Sequence, residues 1–119
     1  MKDSIVRRKS YSFALDIIRL YKDLVKKGEF VLSKQLLKSG TSIGANVEES
    51  VGAQSRSDFL SKISIAYKEA RETGYWLNLL KDSGQLSSEE YVHMITQLEE
   101  LLKLLGSIQK TTKLHGLRL

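Results

Sequence analysis

Residues 36–80 read LLKSGTSIGANVEESVGAQSRSDFLSKISIAYKEARETGYWLNLL, two amphipathic segments joined across one short polar turn. The second segment carries apolar or small residues four and three positions apart, namely Phe59, Ile63, Ala66, Ala70, Thr73, Leu77 and Leu80. This spacing is typical of the buried seam of a helix in a bundle. The first segment places Gly40 and Gly44 on its apolar stripe, where each costs about 1 kcal/mol relative to Ala. We therefore expect a neighbouring helix to approach closely at these glycines.

The flanking sequence supplies two further helices. The apolar periodicity and the helix caps predict helices at about residues 11–27, 30–53, 56–83 and 88–110. Ser10 or Ser12 is the expected first cap, and the tail after residue 110 is expected to fray. The inner face of the first helix is predicted to hold Ala14, Ile17, Ile18, Tyr21, Leu24 and Val25. Short connections between four helices predict one all-α domain over residues 1–119, an antiparallel up-down four-helix bundle.

The composition excludes several classes of protein. The chain contains no Cys, which rules out disulfides and thiolate metal sites, and no Pro, which suits long helices. The first ten residues, MKDSIVRRKS, lack the apolar run of a signal peptide. No apolar stretch approaches the roughly 18 residues of a membrane span. We expect a cytoplasmic protein with no membrane contact.

The basic residues lie at the two ends of the sequence. Residues 1–9 hold four cations against Asp3, residues 110–119 hold three cations, and the remainder sums to −1 within a net charge of +5. In an up-down bundle both termini and the turn after the second helix share one pole. The sequence therefore predicts a nucleic-acid-binding surface made of Arg7, Arg8, Lys9, Arg56, Lys110, Lys113 and Arg118. The alternative is a pair of charged ends that only keep the protein dissolved.

A second surface is predicted on the third helix. Five apolar or aromatic residues fall outside its buried seam: Ile65, Tyr67, Tyr75, Trp76 and Leu79. A monomeric bundle does not need so many additional apolar positions on one helix, so they indicate an oligomer interface. The alternative is that they flank a wide core.

No pattern in the chain indicates a catalytic, metal or cofactor-binding site. Residues 40–44 match the G-x-S-x-G pattern of a nucleophile elbow, but that elbow requires a strand before the turn. We expect the Ser42 hydroxyl to bond to a carbonyl one turn earlier instead. Glu90 and His93 have the spacing of one ligand pair of a di-iron bundle, yet the second pair is absent. Glu90 is expected to cap the fourth helix with Ser87.

Nearly the whole chain, from about Arg8 to Leu105, resembles a known family. The resemblance rests on Lys9-Ser10-Tyr11 with Phe13-Ala14, Gln35-Leu36, Ser42-Ile43-Gly44-Ala45-Asn46 with Glu49, Ser57-Asp58-Phe59, Lys62, Ala66, Lys68-Glu69-Ala70, Glu72-Thr73 and Tyr75-Trp76-Leu77. These runs are similar to those of the four-helix-bundle proteins encoded in intervening sequences of bacterial 23S rRNA genes. The resemblance implies a left-handed bundle and a ring-shaped homo-oligomer, usually a pentamer, with no catalytic residues.

A related branch of that family comprises the accessory variability proteins of diversity-generating retroelements. The resemblance to this branch implies nucleic acid and a reverse transcriptase, or another protein, as partners. Together with the basic ends, it predicts a non-enzymatic oligomeric accessory protein that binds RNA or DNA through a basic surface. The alternative hypothesis is a protein–protein interaction scaffold that makes no nucleic-acid contact.

Overall fold

The computed structural model describes residues 4–117, which form four α-helices and, within that range, no strand. The helices are α1 (Ile5–Lys26), α2 (Leu32–Val51), α3 (Arg56–Asp82) and α4 (Ser88–Leu117). Each helix packs on the next in the chain and α4 returns to α1, whereas the backbones of the diagonal helix pairs do not approach each other. The bundle measures 52 × 21 × 21 Å. The predicted all-α, up-down four-helix bundle is confirmed.

The core is a continuous column of apolar, mostly aliphatic side chains contributed by all four helices. Its fully buried members include Phe13, Ile17, Leu24, Leu36, Ile43, Val47, Ile63, Leu77, Leu80, Leu98, Leu101 and Leu105. Polar groups inside the bundle are few and satisfied: the hydroxyls of Ser39 and Thr73 lie 3.0 Å apart and join α2 to α3. Among residues 4–117, no helix is long and apolar enough to cross a membrane.

The two inner glycines of α2 allow α1 to approach, as expected. A Cβ atom placed on Gly40 would lie 2.8–2.9 Å from three side-chain carbons of Ile17, and one on Gly44 would lie 3.2 Å from the carbonyl oxygen of Ser10. Real Cβ atoms essentially never come within 3.0 Å of another heavy atom, so Gly40 leaves no room for any larger residue. The backbone of α2 continues through both positions without a break.

Helix α1 starts six residues earlier than predicted. Its cap is Ser4, whose Oγ accepts a hydrogen bond of 3.3 Å from the backbone N–H of Arg7. Val6 and Ser10 are both buried, which extends the inner face of α1 by two turns. The cations at positions 7–9 therefore belong to a packed helix, and the predicted bound that placed them before its first residue was wrong.

The ends of α2 and α4 also differ from the predicted bounds. The carboxylate of Glu29 accepts hydrogen bonds from the backbone N–H groups of Leu32 (3.2 Å) and Ser33 (2.6 Å), so α2 begins at Leu32. Phe30 and Val31 consequently lie in the connection before it. Helix α4 continues to Leu117 because its last turns run beside the first turns of α3. The expectation that residues 111–117 are frayed was wrong.

The predicted caps of α3 and α4 are present. Ser55 Oγ accepts from the N–H of Asp58 at 3.0 Å, and the Asp58 carboxylate accepts from the N–H of Gln54 at 3.2 Å. Ser87 and Glu90 bond reciprocally at 3.0 and 2.9 Å. The backbone N–H of Ser87 holds the pKa of Glu90 below its ordinary value. These contacts fix where the α2–α3 and α3–α4 connections end.

Candidate nucleic-acid interface

The first cation of the predicted surface, Arg7, forms an ion pair with Glu48 on the surface of the bundle. The Arg7 guanidinium donates from Nε to Oε1 of Glu48 at 2.9 Å and from Nη2 to Oε2 at 2.7 Å. This bidentate pair joins the first turns of α1 to the last turns of α2. The hydrogen bond from Arg7 lowers the pKa of Glu48. The Arg7 charge is therefore largely balanced locally, although both side chains remain accessible to solvent.

Two neighbouring cations follow on α1. Lys9 Nζ lies 3.1 Å from Oε1 of Glu100 and so links α1 to α4. The Arg8 side chain is exposed and lines a shallow depression with Arg7, Tyr11, Ser12 and Glu48. The carboxylates beside these three cations weaken the positive potential that the sequence predicts for them.

The cations of α3 and α4 have a different environment. Arg56 is the first residue of α3, and Lys110 and Lys113 lie on the last turns of α4. All three are exposed, and none makes an ion pair with another residue of the range 4–117. Arg56 and Lys113 line the same open groove, so the structure brings this pair together as the predicted shared pole requires. Arg118 lies outside the described residues.

The five candidate interface residues do not share one face of α3. Tyr75 is 57% exposed and Ile65 is 39% exposed, whereas Tyr67, Trp76 and Leu79 are half-buried. At 100° per residue, Tyr67 lies about 180° around the helix from Trp76. Tyr67 faces α4, where a Cβ on Gly106 would lie 3.9 Å from its ring. Tyr67 and Trp76 both pack against the core.

Tyr75 and Trp76 form an aromatic ridge on the outside of α3. Their ring centroids are 5.1 Å apart in an edge-to-face arrangement. The indole Nε1 of Trp76 donates to Oε2 of Glu72 at 3.1 Å, which fixes the orientation of the ring. Tyr75 is the exposed part of this ridge and can contact a second protein surface without any rearrangement.

Comparison with known proteins places this fold in a family. The family model described as 23S rRNA-intervening sequence protein matches residues 2–107. The chain belongs to this family. This chain is similar to a protein of known crystal structure, with 51% sequence identity and a TM-score of 0.88. That protein is from Bacteroides thetaiotaomicron and is described as a protein with unknown function from the S23 ribosomal protein family. That similarity covers 89% of this chain and 99% of the other, while no curated protein matches significantly.

The side chains of Ser42 and His93, which could suggest enzyme chemistry, make polar contacts within the bundle. Ser42 Oγ donates to the carbonyl oxygen of Lys38 at 2.6 Å, the bond to the preceding turn that the sequence predicts. His93 Nε2 lies 3.5 Å from Oδ2 of Asp16, and Gln97 Nε2 donates to the same oxygen at 3.1 Å. No cluster of His, Cys, Asp or Glu in the described range has the arrangement of a metal site.

Sequence reasoning missed three exposed apolar residues. Phe30 and Val31 are 61% and 72% exposed in the α1–α2 connection, and Tyr11 is 68% exposed on α1. The predicted bounds of the second helix, residues 30–53, include both Phe30 and Val31. The signal in the sequence was Glu29, which precedes Leu32 by three residues and Ser33 by four. At that spacing its carboxylate can accept hydrogen bonds from the first backbone N–H groups of a helix that starts after Val31.

Proposed function

We propose that this protein is a non-enzymatic, oligomeric accessory protein that binds the phosphate backbone of RNA or DNA in the cytoplasm. The observation that carries the proposal is the cationic end of the α3–α4 pair. Arg56 and Lys113 line the groove there, and Lys110 lies one turn before Lys113 on α4. None of the three makes an ion pair with a carboxylate among residues 4–117. Exposed cations that have no intramolecular partner are available to neutralise phosphates.

The α1 cations contribute less in this proposal. To reach a phosphate, Arg7 would have to exchange a bidentate carboxylate for it, and Lys9 would have to leave Glu100. Such an exchange recovers little free energy, because one anionic partner replaces another. Arg8 adds charge at the same level of α1. The binding free energy is therefore concentrated in Arg56, Lys110 and Lys113.

Sequence preference is expected to be weak. Phosphate contacts position a protein on nucleic acid but do not distinguish bases. Assembly of several copies would repeat the cationic surface and strengthen binding through a high effective concentration.

A scaffold function without nucleic acid is the second candidate. The exposed Tyr75 of the aromatic ridge and the exposed Ile65 favour it, since Tyr is enriched where proteins contact each other. The two candidates make different predictions about charge. A scaffold that uses the aromatic ridge should be indifferent to charge reversal at the end of α4.

A charge-reversal variant tests the proposal. We expect the triple variant R56E/K110E/K113E to bind fluorescent oligonucleotides at least about tenfold more weakly at about 50 mM salt, because three phosphate contacts become repulsive. Fluorescence anisotropy measures the affinity, and circular dichroism checks that the helices remain.

The matched control is K22E/K26E/K34E, which makes the same change in net charge at exposed positions of α1 and α2. It should lose much less affinity. Equal losses in the two variants would mean that only the overall charge matters, and an unaffected R56E/K110E/K113E variant would favour the scaffold.

A further inference from the structure

An open groove lies where the first turns of α3 meet the last turns of α4. It exists because α4 continues to Leu117 beside Arg56, seven residues beyond its predicted end. Its volume is about 540 Å³, within the range of pockets that hold small ligands, roughly 300–1,000 Å³. The groove is lined by Arg56, Ser57, Leu60, Thr112, Lys113 and Gly116.

The groove combines an apolar floor with a cationic rim. Most of its accessible lining is apolar, and the half-buried Leu60 contributes the aliphatic surface of the floor. Thr112 directs its hydroxyl to the carbonyl oxygen of Ile108 at 2.7 Å, so this group is satisfied within α4. A site for phosphate alone does not require an apolar floor between its cations. The floor indicates that the ligand also has an apolar face.

Arg56 is held against α4 at the edge of this floor. A Cβ atom placed on Gly116 would lie 3.9 Å from Cδ of Arg56, so the aliphatic part of the arginine lies close to the last turn of α4. Arg56 is exposed and lines the groove, where its guanidinium is accessible to a ligand. A planar guanidinium in such a position can stack on a base as well as attract a phosphate.

We propose that the α3–α4 groove binds an unpaired base of single-stranded nucleic acid. The base lies on Leu60 and against the Arg56 guanidinium, and Lys113 contacts an adjacent phosphate. A base within a duplex is paired and stacked, so it cannot enter the groove without being unstacked and unpaired. The inference rests on the proposed nucleic-acid binding and adds to it a preference for single strands.

An acidic peptide is the competing occupant of a cationic, apolar groove. The distribution of the cations favours nucleic acid. Lys113 lies at the groove, and Lys110 and Lys103 lie three and ten residues before it on α4, so the lysines lead away from the groove along the helix. A strand with one phosphate per nucleotide can meet such a row while a base occupies the groove. A glutamate-rich peptide serves as the probe for the other occupant.

The test compares single-stranded oligothymidylate with a duplex of equal length on the full chain at about 50 mM salt. The parent protein should bind the single strand about tenfold more tightly, the size of one base-stacking contact. L60Q removes the apolar floor and R56K removes the planar group while keeping the charge. Each should abolish the preference for single strands, while affinity for the duplex stays unchanged. L15Q, at an exposed leucine of α1, is the matched control and should retain the preference.

The outcomes separate this inference from the proposed function. Equal binding of single strand and duplex by the parent, or an undiminished preference in R56K and L60Q, would overturn the base-binding groove while leaving backbone binding intact. Absence of binding to either oligonucleotide would overturn both. The glutamate-rich peptide competes with the single strand, and the two are compared at equal concentrations of negative charge. If the peptide displaces the strand at a lower concentration of charge than the strand itself carries, the groove binds a protein ligand instead. If L60Q fails to fold, R56K gives the same comparison, because Arg56 is exposed.

Discussion

Replacement of Gly40 by Ala should destabilise the bundle by about 1 kcal/mol, the difference between a mid-range overpacking cost and the gain from Ala as the better helix former. The new methyl group would meet three carbons of Ile17 at 2.8–2.9 Å, and Ile17 is fully buried. Overpacking of this kind costs about 1–3 kcal/mol, which exceeds the gain of about 1 kcal/mol from helix propensity. The free energy of unfolding, measured in urea, checks the result.

Gly106 provides the matched control, since it is also inside a helix. A Cβ atom placed there would make only an ordinary contact, at 3.9 Å from the Tyr67 ring. G106A should therefore be neutral or stabilising by up to about 1 kcal/mol. In an I17A background the carbons that obstruct position 40 are gone, so G40A should no longer destabilise and the two substitutions should be strongly non-additive. A G40A variant as stable as the parent would contradict the close approach of α1 and α2.

Assembly should depend on the outer face of α3. We expect the parent protein to have several times the monomer mass of 13.5 kDa by light scattering. The double variant I65K/Y75K should approach the monomer mass. Loss of an aromatic residue buried at the centre of an interface often costs about 2 kcal/mol of binding free energy or more. Two buried lysines without partners would add a further cost.

The control for this prediction is V92K, on α4. Val92 is 57% exposed, the same fraction as Tyr75, but it lies outside the candidate interface. V92K should keep the mass of the parent. A monomeric parent, or an I65K/Y75K variant that retains the larger mass, would show that this face of α3 does not mediate assembly.

The sequence predicted α3 best. Ile63, Ala66, Ala70, Thr73, Leu77 and Leu80 are all fully buried, as their spacing indicates, and Phe59 at the start of the seam is half-buried. An unbroken alternation of four and three residues leaves only one way to turn the helix toward a core. The N-terminal cap of α3 could also be predicted, because Ser55 and Asp58 are only three residues apart and the hydrogen bond between them is local.

The sequence predicted α1 less well. The buried line is Val6, Ser10, Phe13, Ile17, Leu20 and Leu24, whereas Ala14, Ile18, Tyr21 and Val25 are half-buried flanks. If α1 is taken to start at residue 11, Val6 and Ser10 are left out of the comparison. The face of Phe13, Ile17, Leu20 and Leu24 and the neighbouring face of Ala14, Ile18, Tyr21 and Val25 then look equally apolar. The error in the helix start thus became an error in the orientation of the inner face.

The candidate interface was only partly predictable for a related reason. The sequence identifies cations but not their partners, and Arg7–Glu48 and Lys9–Glu100 are pairs between residues 41 and 91 positions apart. Which charges remain unmatched depends on helix register, which is a property of the packed bundle. The groove between Arg56 and Lys113 likewise exists only because α4 remains helical to Leu117.

The salt dependence of single-stranded oligonucleotide binding by the full chain is the sharpest test of whether Arg56, Lys110 and Lys113 contact phosphates. Between about 50 and 200 mM salt, the logarithm of the affinity should fall linearly with the logarithm of the salt concentration. Three phosphates neutralised by Arg56, Lys110 and Lys113 predict a slope of about −2, at about −0.7 for each contact. A steeper slope is expected if several copies bind one strand. Absence of binding at about 50 mM salt, or binding that salt does not weaken, would contradict the account.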